Sequence, residues 1–286
     1  MWKEKAVRVI LLGAGSTSIL IVILIFFFLG REAFPFFLAP GISELLGTRW
    51  IPVSFQRESF GILPLISGSV LVTVLATLIA IPFGVCGAVY ISEVALDAER
   101  ETFKPFIELL TGIPSVVIGF FGLVVLAPLV KEVFALQTGL TALTGSLLLA
   151  LMAIPTIISI SEDSLRSVPK SYKEASLALG ASKLQTIWKV TVPSALPGII
   201  TAVMLGMGRV IGETMAVMMV TGNAAVITAS PFDSARTMTA TIAAEMGEVP
   251  FGSVHYRALF CVGLVLLLTT FGINIVAQRV LKKYRM

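Results

Sequence analysis

Six long apolar runs, separated by shorter polar stretches, organise the 286 residues. They cover residues 9–29, 64–91, 105–130, 140–160, 195–220 and 257–277. A helix crossing a bilayer core needs about 20 predominantly apolar residues, so each run predicts one membrane span. The first run follows Lys3, Lys5 and Arg8, as a signal peptide would. It is longer than the roughly 7–15 apolar residues of a cleavable segment, and it is expected to remain as an anchor. Pro82 falls inside the second run, Gly112, Pro114, Gly119 and Gly122 inside the third, and Pro155 inside the fourth. Such residues bend helices or let them pack closely.

The polar stretches predict the connections. Residues 31–63 hold Pro35, Pro40, Gly41, Gly47, Trp50 and Pro52, and turn formers of this kind predict a loop. Residues 93–104 are charged, and residues 131–139 make a short link. Residues 221–256 read as a long loop whose segment 234–247 has a helical pattern, placed at the surface or re-entering the membrane. No internal repeat is visible. The longest polar interruption of the second half is 174–198, EASLALGASKLQTIWKVTVPSALPG. It predicts two short helices, at about 170–179 and 182–191, joined at Gly180, which tolerates positive φ. Leu184, Ile187 and Trp188 share a face of the second helix. Pro193 and Pro197, lacking amide donors, are expected to end it.

Composition fixes the environment. Hydrophobic residues make up 56% of the chain and charged residues 13%, with a mean hydropathy of +0.96. A soluble domain carries about 25% charged residues, so this chain belongs in a bilayer. The basic residues set its orientation. With both termini on one side, that side holds fourteen of the 21 Lys and Arg and the other holds six, with Arg209 left inside a span. The richer side, which includes the 174–198 stretch, is expected to be cytoplasmic. The net charge of +4 is spread along span ends rather than gathered in a patch, which argues against nucleic acid as a partner. Cys86 and Cys261 lie in apolar runs and read as two buried thiols, not a disulfide framework. The single His255 has no companions for a zinc site and reads as an exposed loop residue. No lysine follows a glycine, so the chain has no phosphate-binding loop for ATP. With no metal-ligand cluster or Ser/His/Asp set either, the sequence does not read as an enzyme. No cofactor is expected on this chain, and any ATP and Mg would sit on a partner.

One pair of charges stands inside a span. Arg209 and Glu213 occur in GMGRVIGETMAV, four residues apart, which on a continuous helix means one face. A charge at the bilayer centre costs about 2.5–3.5 kcal/mol on insertion scales. Either the pair is a structural ion pair between subunits, or Arg209 lines a path for an anion, since guanidinium matches phosphate oxygens. Gly208 and Gly212 form a GxxxG step that lets a neighbouring helix approach.

Two resemblances sharpen this reading. The 174–198 stretch resembles the "EAA" loop of permease subunits of ATP-binding-cassette (ABC) importers: Glu174, Ala175, Gly180, Val190 and Pro193 fall on that family's spacing, with mild departures at Ser176 and Val192. The GRVIGETMAV segment followed by Gly222 and Asn223 is similar to the PstC family of bacterial phosphate-importer permeases. So are FGILPLISGS, TGIPSVVIGFFG and HYRALF, and the likeness runs from about Glu32 onward. The resemblance implies an all-α membrane protein, a six-transmembrane-helix MetI-like bundle with a cytoplasmic coupling-helix loop. Residues 1–63 would form an anchor helix and extracytoplasmic loop. Residues 64–286 would form the core permease domain, with the coupling loop at about 162–194. Glu174, Ala175, Ala178, Leu179, Gly180, Ala181 and Ser182 would engage an ATPase, Arg209 and Glu213 would line the substrate path, and Gly208 and Gly212 would pack helices. The implied partners are a second, PstA-like permease, a PstB-like ATPase dimer, a PstS-like extracytoplasmic phosphate-binding protein, phosphate and the lipid bilayer. The alternatives are a permease for sulfate or molybdate and a secondary transporter working alone.

Overall fold

A computed structural model describes the backbone of residues 2–284 and the side chains of residues 7–282. The tail and leader charges counted above at Lys3, Lys5, Lys283 and Arg285 therefore lie outside the described side chains. Among the described residues, six helical segments are long and apolar enough to cross a membrane. The order begins with α1 (Trp2–Phe36), a kink (Phe37–Gly41) in which Ala39 is extended, α2 (Ile42–Leu45) and a two-stranded hairpin, β1 (Trp50–Ile51) and β2 (Ser59–Phe60). Next come α3 (Leu63–Val89), a π-turn (Tyr90–Val94), α4 (Asp97–Thr111), α5 (Ser115–Phe121), a π-turn (Gly122–Leu126) and α6 (Ala127–Val133). They are followed by α7 (Ala142–Arg166), α8 (Lys170–Ala178), α9 (Lys183–Thr186), a π-turn (Ile187–Thr191) and α10 (Val192–Gly212). The chain closes with α11 (Met215–Val220), α12 (Met238–Glu245) and α13 (Val254–Tyr284).

Helix α7 is the centre of the bundle. It buries Leu148, Leu149, Met152, Ala153 and Ile157, and α3 and α10 lie against it. Small residues permit this closeness. A Cβ added at Gly84 of α3 or at Gly206 of α10 would press on Ile157 at 2.6 and 2.8 Å, so one isoleucine fills notches in two neighbours. Between helices in lipid, packing of this kind replaces the hydrophobic driving force. A second apolar cluster sits at one end of the bundle, where Ala33, Phe36, Leu45, Trp50, Phe60 and Ile62 meet Met238, Tyr256, Leu259 and Val262. A third sits at the other end and joins Ala88, Val89, Leu165, Val168, Ile187, Ala195 and Ile199.

The structure departs from the sequence reading at several breaks. The 31–63 segment is not all loop: α1 continues to Phe36, and β1 and β2 pair antiparallel with Trp50 opposite Phe60. The third run is not one helix over 105–130. Residues 105–111 finish α4, which begins in the charged stretch at Asp97, and the span proper is Ser115–Val133. Pro114 is extended (φ −58°, ψ 135°), and a residue preceding proline, here Ile113, is pushed out of the helical region. Pro193 and Pro197 do not end the second helix of the polar loop. The π-turn Ile187–Thr191, closed by Val192 N–H donating to Ile187 O, delivers Pro193 to the first turn of α10, where no intrahelical donor is needed. The π-turn Gly122–Leu126 does the same ahead of Pro128. The fifth run is likewise not one helix over 195–220: α10 stops at Gly212. The last helix extends beyond 257–277 in both directions, and the helical part of 234–247 is Met238–Glu245. Cys261 is buried as expected, but Cys86 is exposed on the outside of α3.

Candidate functional site

The polar loop folds as two short helices around a closed turn. α8 ends in a Schellman motif: Gly180 N–H donates to Leu177 O at 2.9 Å and Ala181 N–H to Ser176 O at 3.2 Å. Gly180 has φ +84°, the left-handed conformation in which a Cβ is costly. Ser182 then starts α9 with a capping box, its Oγ accepting from Gln185 N–H while Gln185 Oε1 accepts from Ser182 N–H. Ser176 and Thr186 hydroxyls, 3.0 Å apart, tie the two helices together. What this rigid turn presents is apolar. Leu179 is 89% exposed, and Tyr172, Leu177, Leu184 and Trp188 are also exposed. Glu174 and Ala175 are exposed as well, and Glu174 makes no side-chain hydrogen bond or ion pair among the described residues. The predicted coupling residues therefore fall together on one knuckle, and none of them is buried among the described residues.

Two charged clusters that the sequence reading missed lie at this end of the bundle, one between α4 and α7 and one between α8 and the end of α3. Glu162, 2% exposed at the end of α7, accepts from Arg100 at 3.0 Å and Lys104 at 2.8 Å, with Arg166 at 3.5 Å. These contacts bind α4 to α7. Hydrogen bonds to Glu162 and then to Asp163 hold the Lys104 ammonium above its ordinary pKa, against the opposing effect of burial. Lys173 of α8 pairs with Glu93 of the π-turn after α3 at 2.6 Å. Acidic residues inside or beside apolar runs were the available signal for both.

The predicted intramembrane pair is not a pair. Arg209 and Glu213 form no ion pair among the described residues, and the helix ends at Glu213, where the chain turns extended (ψ 132°). The Glu213 carboxylate instead caps α11, accepting from Thr214 N–H at 3.1 Å and Ala216 N–H at 3.3 Å. The positive end of a helix dipole stabilises that negative charge. The break is satisfied internally, as a low-dielectric setting demands. Thr239 Oγ1 donates to Glu213 O at 2.9 Å, and Thr214 Oγ1 to Gly212 O at 3.2 Å. Arg209 stands in the last turn of α10, where the dipole favours a cation, and has no ion-pair or hydrogen-bond partner among the described residues. Its depth is set by neighbours: Gly206 packs on Ile157 and Ala153 of α7, and Thr221 packs on Gly145 near the start of α7. Gly208 and Gly212 have open space within 4 Å in this chain.

At the opposite end from the knuckle, Glu245 of α12 is a hub. It accepts from Trp50 Nε1 at 3.1 Å, and lies 2.8 Å from both Arg236 and His255. His255 is thus a half-buried partner of a carboxylate in the first turn of α13, not an exposed loop residue. Burial pushes the Glu245 carboxyl upward, but His255, Arg236 and Trp50 outweigh it and hold the pKa below the ordinary value. The hub fastens the hairpin and α12 onto α13.

A family model described as "Binding-protein-dependent transport system inner membrane component" matches residues 84–285. The chain is 44% identical over 267 residues to the probable ABC transporter permease protein YqgH of Bacillus subtilis, covering 92% of this chain and 86% of that protein. It is 36% identical over 262 residues to the phosphate transport system permease protein PstC of Mesorhizobium japonicum, covering 85% and 79%. An inward-facing MetNI methionine ABC transporter superposes with a TM-score of 0.59 at 17% identity, over 78% of this chain and 97% of that one, which shows a shared fold.

Proposed function

The chain belongs to the inner-membrane component family of binding-protein-dependent transport systems, and from that premise we propose that it is the permease of an ATP-driven importer of inorganic phosphate. The family and the permease relatives make it a non-enzymatic membrane component, and its six apolar helices make it multi-pass. The observation that carries the substrate is the likeness to relatives named for phosphate transport over most of the chain. Arg209 supports it chemically, as a guanidinium in the span Lys183–Gly212 with no ion-pair partner among the described residues. Half of the translocation path would come from this chain and half from a second, PstA-like permease. The exposed Leu179–Gly180 knuckle would enter a groove of a PstB-like ATPase dimer, where ATP and Mg are bound. The Glu245 end would face a PstS-like extracytoplasmic phosphate-binding protein. Both termini are then cytoplasmic, in keeping with the excess of basic residues on that side.

The test is uptake of radiolabelled phosphate into proteoliposomes holding the two permeases and the ATPase. ATP on the ATPase side and the binding protein on the other should both be required, and excess sulfate should not compete. Competition by sulfate at the same concentration as phosphate, or uptake without ATP, would refute the reading.

A further inference from the structure

We propose that the Lys173–Glu93 ion pair is the strut that makes the coupling knuckle rigid against the spans, so that motion of the ATPase moves the helices instead of bending the loop. The inference rests on the permease reading above and concerns how that reading's coupling loop works.

The argument begins with how α8 is attached. It hangs from α7 by the short link Ser167–Val168–Pro169, and Pro169 is extended (φ −56°, ψ 133°), so the two helices are not continuous. α8 buries none of its own side chains. The apolar cluster beneath it is built from α3, α7, the π-turn Ile187–Thr191 and α10, together with Val168 of the link, and contains no residue of α8. A helix with so little buried surface pivots toward or away from α3 when its tip is pushed, unless a side-chain contact joins the two. The Ser176–Thr186 hydroxyl contact joins α8 to α9, which runs through the π-turn into α10 as one span, Lys183–Gly212, so it ties α8 to α10 and leaves α3 unattached.

Lys173 supplies the missing point. Its ammonium lies 2.6 Å from Glu93 Oε1, with the side chains 26% and 9% exposed. A charge-assisted hydrogen bond of this length is among the stronger polar contacts, and partial burial shields it from salt. Ser92 Oγ lies 3.3 Å from the same carboxylate oxygen and helps orient it. Glu93 stands in the π-turn that continues α3 without a break, and α3 is locked to α7 at Gly84 by Ile157 and at Gly87 by Ile158. A load on α8 therefore reaches the α3–α7 unit through two separated points, the Pro169 link and Glu93. With only the first, α8 would pivot about the Pro169 link and its tie to α10, and α3 would not follow.

The test uses the reconstituted complex with Glu93→Lys, Lys173→Glu, the exchanged double variant and the milder Glu93→Gln. Two quantities are read: phosphate taken up per ATP hydrolysed, and hydrogen exchange of the α8 amides. Each charge reversal should leave the ATPase bound and hydrolysing, lower uptake per ATP about five- to tenfold, a modest coupling between linked sites, and speed α8 exchange. Glu93→Gln should do both more weakly, and the double variant should restore both. An unchanged ratio in the single variants overturns the proposal, and so does a double variant that assembles without recovering it. If the single changes and Glu93→Gln lower only the yield of complex, with a wild-type ratio and wild-type α8 exchange in what assembles, the pair is a fold contact and the strut is refuted. A wild-type complex that imports no phosphate would sink the phosphate reading instead, and the exchange comparison would still decide the strut.

Discussion

Arg209 and Glu213 are neighbours in sequence with separate work. Arg209 faces no counter-charge among the described residues, while Glu213 is spent on the amides of Thr214 and Ala216. Their substitutions should therefore behave differently. Arg209→Gln should keep assembly and ATP hydrolysis and lower phosphate uptake roughly ten- to hundredfold, the effect of one lost charged hydrogen bond. Arg209→Lys should recover part of it, since a point charge lacks the planar fork. Glu213→Ala should cost stability, about 0.5–2 kcal/mol as for other lost helix caps, seen as a lower thermal midpoint of the purified chain. The double change Arg209→Gln with Glu213→Gln should rescue nothing; recovery of uptake would mean that the two side chains meet during transport. Glu245 gives a second residue-level expectation, in pH. Its folded pKa lies below the ordinary carboxylate value of 4.5, so its stabilisation is complete above that value and is lost as pH falls through the lowered one. Thermal midpoints taken from about pH 6 down to about pH 3 should fall in the wild type, and less steeply in Glu245→Gln, whose starting midpoint should already be lower because Arg236 and His255 lose their partner.

At the scale of elements, the knuckle's turn tests its proposed docking. A Cβ at Gly180 meets nothing within 4 Å of this chain, so Gly180→Asp should leave the spans folded. It forces a side chain into the φ +84° conformation at a cost of about 1–2 kcal/mol and places a carboxylate beside bare Leu179. The ATPase should be lost on co-purification through a tag on the permease; full retention would refute docking at this turn. The elements themselves were legible where a pattern was long. Six apolar runs gave six spans, and the Gly180 and Ser182 signals gave the turn and the second helix start. The breaks were less legible, because proline in a long helix is ambiguous. Pro114 breaks the chain, whereas Pro193 is absorbed by a π-turn whose widened hydrogen bond no residue pattern announces. The stop after Gly212 was hidden for a related reason. Glu213 and Thr214 look like one more turn of helix, and part of what satisfies the opened backbone is the Thr239 hydroxyl, 26 residues away. Glu162, Glu93 and Glu245 were missed as sites because their partners come from other elements.

At the scale of the whole molecule, the proposed second permease can be tested at glycines that face open space. Gly208 and Gly212 lie on α10 with nothing of this chain within reach of an added Cβ, whereas Gly222, with φ +79°, sits against Ser234 and the Leu140 carbonyl. The three glycines therefore separate fold from assembly. Gly222→Leu would put a side chain into filled space in a left-handed conformation, and overpacking of that kind costs about 1–3 kcal/mol before the backbone strain is added. It should lower the yield of the permease alone. Gly212→Leu should leave that yield and the thermal midpoint of the isolated chain unchanged. Its branched side chain would keep another backbone from the close approach that a GxxxG step allows, so the second permease should dissociate during purification. Gly247, with equally open surroundings on the connection between α12 and α13, is the control that should tolerate leucine in both assays. The measurement is the ratio of the two permeases after size-exclusion chromatography, alongside the expression of each variant by itself. Equal ratios for Gly212→Leu and Gly247→Leu would place the second permease on another face of the bundle. A fall in the isolated yield of Gly212→Leu would instead mean that α10 packs within its own chain more tightly than the open space at Gly212 allows.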